Sequence, residues 1–205
     1  MTRDTKRDDI ERSIRHCYST WSERYYEDLY RNAGAYPPVH TDIIRKLLQE
    51  RGTRSVLDAG CGPASMLRDL DLAGMQRYGF DLTPEMTTEA RRVLAQQGVP
   101  GSHIWEGSVL DAGAFKPPAG APVQGFDAAI CFGVLPHIPP SADPQVLRNL
   151  AAAVRPGGWI ACEARNTLFA GREFLHHADR AHGHLFSGRT PSIGPGYRHI
   201  DDTEL

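Results

Sequence analysis

Residues 56–63, Val-Leu-Asp-Ala-Gly-Cys-Gly-Pro, constrain this chain more than any other segment. A short apolar run that stops at paired glycines reads as a buried strand entering a tight turn. Met66, Leu67 and Leu70 read as the helix that follows. Gly60 and Gly62 carry no side chain, so a ligand can lie against the backbone at the carboxyl end of the strand, where open α/β sheets bind ligands. Asp81 closes the next apolar run about twenty positions on, where a carboxylate can accept hydrogen bonds from both hydroxyls of a ribose. The two features together specify a nucleoside ligand.

The stretch beyond Gly52 alternates short apolar runs with helical patterns, as a parallel sheet with crossover helices does. Strands are predicted at 55–59, 77–81, 103–106, 126–132 and 159–164. A helix is predicted over 84–97, with Thr83 as N-cap, Pro84 at the first position and Glu85 favourably placed against the helix dipole. Another spans 143–154 and stops at Arg155-Pro156-Gly157-Gly158. Ahead of the sheet, Ile10, Ile14, Cys17, Trp21, Tyr25 and Leu29 recur at spacings of three and four, which puts them on one helical face. Tyr36-Pro37-Pro38 ends that helix, and a second over 41–50 turns Ile43, Ile44, Leu47 and Leu48 inward. The chain thus divides into an N-terminal helical lid (1–52), an α/β core (53–164) and an irregular extension (165–205).

The turn also separates nucleoside classes. A Walker loop needs Gly-Lys-Ser/Thr, whereas Gly62 is followed by Pro63-Ala64-Ser65-Met66, which excludes nucleoside triphosphates. A dinucleotide fold wants G-x-G-x-x-G, and the third glycine is absent. Asp58, two residues before Gly60, is tolerable where there is no pyrophosphate to cradle, and it can bind the ammonium end of a methionine moiety.

At this point the sequence resembles the class I S-adenosylmethionine-dependent methyltransferases. Val-Leu-Asp-Ala-Gly-Cys-Gly-Pro matches the first motif, Gly79 to Met86 the second, Trp105 to Asp111 the third, and Phe126 to Ile138 the fourth, followed by Val154-Arg-Pro-Gly-Gly158. The resemblance implies a Rossmann-like parallel sheet in strand order 3-2-1-4-5 with flanking helices, and S-adenosylmethionine as cofactor. It further implies that Gly60 and Gly62 pass under the methionine part, Asp81 holds the ribose and Leu82 packs on the adenine. Ser108 and Val109 frame the adenine edge, and Cys131 and Phe132 lie beside the sulfonium. Many relatives have a third glycine near Ala64 and an acid at Ser108. A small residue and a serine hydroxyl still serve there, with a weaker hold.

Methyl transfer from a sulfonium is an in-line displacement, so no metal or covalent nucleophile is required. A base helps if the acceptor is a hydroxyl or amine. His137, just past the fourth strand, is either that base or a cap on the loop before Pro139-Pro140. Tyr18, Tyr26 and Tyr36 are candidate lid residues over the acceptor, whereas Trp21 and Tyr25 read as helix packing. His176, His177, His182 and His184 lack H-E-x-x-H spacing and a partner acid, and read as an exposed loop rather than a metal site.

Partners follow from what is missing. The chain balances 23 Lys+Arg against 25 Asp+Glu without a basic run, and the fourth motif has no N-P-P-Y or D-P-P-Y segment, both of which argue against nucleic acid. No stretch approaches the roughly 18 apolar residues of a membrane span. Cys17, Cys61, Cys131 and Cys162 lack C-x-x-C spacing and suit reduced thiols in a cytoplasm. A cytoplasmic methyltransferase acting on an O or N atom of a small metabolite is the expectation, with a non-catalytic S-adenosylmethionine-binding module as the rival. Family members finish the sheet with two further strands. Tyr197 to Leu205 resembles the start of the helix that precedes them, so a truncated or divergent member with an exposed fifth strand is expected.

Overall fold

The computed structural model describes residues 3–26, 39–116 and 125–163. Ten regular elements follow one another in these segments: α1 (Arg3–Tyr26), α2 (Val39–Glu50), β1 (Ser55–Ala59), α3 (Ser65–Asp69), β2 (Gln76–Asp81), α4 (Pro84–Ala95), β3 (Ile104–Glu106), β4 (Phe126–Cys131), α5 (Asp143–Ala153) and β5 (Val154–Cys162). All five strands are parallel and lie in the order β3-β2-β1-β4-β5. The parallel sheet is the one the alternating pattern predicts, and its Rossmann-like strand order is the one the resemblance implies. Among the described residues no helix is long and apolar enough to cross a membrane.

Every residue of β1 and β4 is buried, because helices cover both faces of a parallel sheet. On one face Leu57, Ala59, Tyr78, Phe80, Phe126 and Ala129 pack against Val146 and Leu150 of α5. On the other Val56, Ala128, Ile130 and Ile104 meet Leu67, Ala90, Leu94, Ile44 and Leu48 from α3, α4 and α2. Ile43 is a correction to the predicted inner face of α2: it is 54% exposed, while Ile44 and Leu48 carry the packing.

Strand boundaries fall within one residue of expectation except at β5, which spans Val154–Cys162 rather than 159–164. The Arg155-Pro156-Gly157-Gly158 segment does end α5, but it does so inside the strand. Phe126 pairs with Val154 and Ala128 with Trp159, so the extra residues bulge out of register. The Asp127 carboxylate holds the bulge by accepting the Arg155 Nε–H at 2.5 Å and the Arg54 and Ser55 amides at 2.7 and 3.0 Å. Thr83 occupies the N-cap position of α4 without a side-chain cap, and its own N–H donates to Asp81 Oδ1 at 2.9 Å.

Candidate functional site

The site is built where β1 and β2 end side by side. Their register brings Asp58 opposite Gly79 and Ala59 opposite Phe80. Beyond the last pair, the amides of Gly60 and Cys61 both donate to the Phe80 carbonyl at 2.9 Å. The turn leaves the sheet through Gly60 at φ +82° and Gly62 at φ +52°. A Cβ on Gly60 would collide with Val134 Cγ2, whereas a Cβ on Gly62 would meet nothing within 4 Å among the described residues. Among those residues, the backbone at Gly62 is open on the side where a side chain would stand. Ala64 also takes a left-handed conformation at φ +60°, which costs a residue with a Cβ about 1–2 kcal/mol.

Asp81 fastens this turn. Its Oδ2 accepts the Gly62 amide at 2.9 Å while Oδ1 accepts that of Thr83. An ionised carboxylate has lone pairs left after two such bonds. Burial pushes the Asp81 pKa up, against the pull of the Thr83 and Gly62 amides and of Arg15 on α1. Asp58 is 4% exposed and has no hydrogen-bond donor among the described residues. Burial, and then the neighbouring Asp81 charge, push its pKa up to about 7. Of this pair Asp81 holds the negative charge and Asp58 the proton, because the amide donors face Asp81. The Ser65 hydroxyl, next to the turn, is also buried and without a partner among the described residues.

The other predicted cofactor residues surround these two acids. Leu82 is half-buried just past β2, and the Gly107 amide donates to Asp81 O at 2.9 Å, which brings the segment after β3 alongside. Ser108 and Val109 are buried there, with Ser108 Oγ accepting the Leu110 amide and Asn149 donating to the Val109 carbonyl. Cys131 ends β4 fully buried, and Phe132 is half-buried beside the second core cluster. The Cys61 and Cys131 thiols are free, and burial pushes both pKa values up, which keeps them protonated.

From α1, side chains reach the strand ends. Tyr18 Oη lies 2.8 Å from His137 Nε2, with the two rings edge to face. Ile14 packs on the core cluster that holds Val109 and Leu135, and Arg7 lies within electrostatic reach of Asp111. With Arg15 acting on Asp81, α1 crosses the strand ends from the β3 side to the loop after β4. His137 closes a short turn, Leu135–His137, with its amide on the Val134 carbonyl at 2.9 Å. The side chain of Tyr26, and Tyr36, His176, His177, His182, His184 and the 165–205 extension all lie outside the described residues. Neither Val134, inside the fourth motif, nor Glu163, inside the predicted fifth strand, is a site candidate on sequence grounds. Val134 wedges against Gly60, and Glu163 Oε2 accepts the Gly133 amide at 2.8 Å. The local pattern gives neither contact, because each works across the fold.

Known proteins show the same organisation. A family model described as a methyltransferase domain matches residues 56–158. The chain is similar to the ubiquinone biosynthesis O-methyltransferase of Albidiferax ferrireducens, 28% identical over 70% of this chain and 54% of that protein. It is similar to the Serratia proteamaculans enzyme of the same name, 29% identical over 62% of this chain and 52% of that one. The chain thus spans about half the length of the curated relatives it matches. In fold it is similar to the crystal structure of magnesium protoporphyrin IX methyltransferase from Synechocystis with bound S-adenosylhomocysteine. That match has a TM-score of 0.59 and 21% identity, over 90% of this chain and 83% of the other.

Proposed function

The chain belongs to the methyltransferase-domain family, and on that premise we propose that it transfers the methyl group of S-adenosylmethionine to an oxygen or nitrogen atom of a small metabolite. The observation that carries the reading is Asp58. A buried carboxyl group with a pKa of about 7 and no donor among the described residues suits a cationic ligand, and the ammonium of a methionine moiety is one. The free space over Gly62, the unpartnered Ser65 hydroxyl and the spare lone pairs of Asp81 fit the same ligand. The names of the curated relatives support oxygen as the acceptor atom.

When bound, the cofactor supplies an electrophilic methyl group on a sulfonium, and the chain's residues position and deprotonate around it. Asp58 would hold the ammonium, the Gly60–Gly62 backbone the methionine chain, Asp81 the ribose hydroxyls, and Leu82, Ser108 and Val109 the adenine. Cys131 and Phe132 would border the sulfonium and exclude water. An acceptor hydroxyl that replaces the Tyr18 hydroxyl on His137 Nε2 would give its proton to the imidazole as the new bond forms. Tyr18 keeps that nitrogen directed into the cleft until then. The same reading sets the protein in the cytoplasm with a small-molecule partner, and the near balance of acidic and basic residues supports no role for nucleic acid.

Calorimetric titration with S-adenosylmethionine and S-adenosylhomocysteine tests this, using wild type, Asp81→Ala and His137→Ala. We expect micromolar binding that Asp81→Ala abolishes and His137→Ala retains. Transfer to phenolic or carboxylic acceptors should fall about 100-fold in His137→Ala. A folded protein that binds neither ligand refutes the proposal, and one that binds both yet transfers to no acceptor is a binding module.

A further inference from the structure

We infer that Glu163, just past β5, is a positioning residue whose carboxylate fixes the segment 132–137 and so sets where His137 stands relative to Tyr18 and the β1 turn. The inference rests on the proposed role of His137, and it concerns a residue that lies outside all four sequence motifs.

The lever starts from a rigid point. The Glu163 amide donates to the Cys131 carbonyl at 3.1 Å, continuing the β4–β5 ladder by one rung. From there its Oε2 reaches back to accept the Gly133 N–H at 2.8 Å. Gly133 is the pivot of the segment. It stands at φ +69°, and among the described residues nothing lies within 4 Å of where a Cβ would be, so no side chain of its own restricts its backbone. A hydrogen bond to an ionised acceptor is stronger than a neutral one, and here it removes the freedom that the glycine brings.

Two contacts downstream depend on that pivot. Val134 packs so closely over Gly60 that no Cβ fits between them, which couples the segment to the floor of the cofactor site. The Val134 carbonyl then accepts the His137 amide, closing the turn that presents the imidazole to Tyr18. A displaced Gly133 would carry Val134 and His137 with it. Glu163 therefore acts through the backbone and touches neither the reacting atoms nor the cofactor.

Three variants of the full chain test this: Glu163→Ala, Glu163→Gln, which keeps an acceptor oxygen at the same reach, and Glu163→Asp, which shortens the arm by one methylene. The readouts are hydrogen exchange at the Gly133 amide, the ¹⁵N chemical shift of His137 Nε2 with Tyr18→Phe as reference, and calorimetry with S-adenosylhomocysteine. Glu163→Ala should speed exchange at Gly133 roughly tenfold or more and move the Nε2 signal toward its position in Tyr18→Phe. Glu163→Gln should stay within about threefold of wild type in exchange and keep the native Nε2 signal, as expected of a neutral acceptor in the same place. Glu163→Asp should shift both readouts in the direction of alanine, and it carries the test if Glu163→Ala does not fold. A native exchange rate and Nε2 signal in folded Glu163→Ala or Glu163→Asp overturn the inference. So does a Tyr18→Phe spectrum identical to wild type, since there is then no contact to set. Failure of wild type to bind S-adenosylhomocysteine refutes the parent reading instead, and the exchange and shift data still report on Glu163 separately.

Discussion

Around Gly60 the backbone does the holding: β1 and β2 lie in register, two amides share the Phe80 carbonyl, and Asp81 is tied to the amides of Gly62 and Thr83. Around His137 side chains do it. Tyr18 reaches His137 from a helix 119 residues earlier, and Glu163 reaches Gly133 from a strand end 30 residues later. The first region depends on the register of adjacent strands, and the second on side chains from the first helix and from the end of β5. A cofactor common to many enzymes suits a backbone-built floor, whereas an acceptor that differs between enzymes suits a rim that side chains can rebuild.

If the floor is as rigid as its hydrogen bonds imply, Gly60→Ala should have a larger effect on cofactor affinity than any change on the rim. It forces a Cβ into a left-handed conformation and into Val134 together. We expect affinity for S-adenosylhomocysteine to fall at least ~100-fold by calorimetry, about 3 kcal/mol. A loss smaller than tenfold would mean that floor and rim yield alike, and the contrast between them would collapse.

Asp58→Asn should come next and should separate binding from stability. Asp58 titrates at about 7 in the folded chain against an ordinary 3.8, so the folded state holds its proton more tightly than the unfolded state does. The stabilisation this gives is complete below about pH 4 and is lost as pH rises through about 7. Asparagine never ionises. The variant should therefore melt at the wild-type temperature near pH 4 and above it at pH 8, while S-adenosylmethionine affinity drops about 30-fold through loss of a charged hydrogen-bond acceptor. Wild-type affinity should itself climb with pH until about 7 and then level off, a slope the variant lacks. Equal melting temperatures at pH 8 would mean that Asp58 is already paired, and the carrying observation for the proposed cofactor would be gone.

The same division explains what the sequence made legible. The parallel sheet, the glycine turn and both acids could be read because each depends on neighbours in sequence or on one repeated strand pattern, whereas the strand order came only with the family resemblance. The start of β5 could not, because Arg155-Pro156-Gly157-Gly158 reads as a helix stop and only Asp127, accepting from Arg155, turns it into a bulge. Ile43 was expected inside on periodicity alone, yet α2 presents a narrower face to β1 and leaves it exposed. Tyr18 and His137 were each singled out for reasons of their own, but nothing in the residues between them indicates that they touch. Val134 lies in the fourth motif and Glu163 in the predicted fifth strand, but nothing local signals that one wedges against Gly60 and the other holds Gly133.

Tyr18→Phe should give the smallest effect and the sharpest test of the rim. The substitution keeps the ring that packs edge to face on His137 and removes only the hydroxyl that meets Nε2. Losing one neutral hydrogen bond that orients a base costs about 1 kcal/mol, so turnover should fall roughly fivefold. S-adenosylhomocysteine affinity should stay within about twofold, since Tyr18 contributes nothing to the Asp58–Asp81 floor. The decisive comparison is the double variant Tyr18→Phe/His137→Ala. If Tyr18 works by orienting the imidazole, its loss adds nothing once His137 is gone, and the two effects are strongly non-additive. Additive losses would give Tyr18 a separate role against the acceptor and make α1 a binding surface in its own right rather than a support for the base.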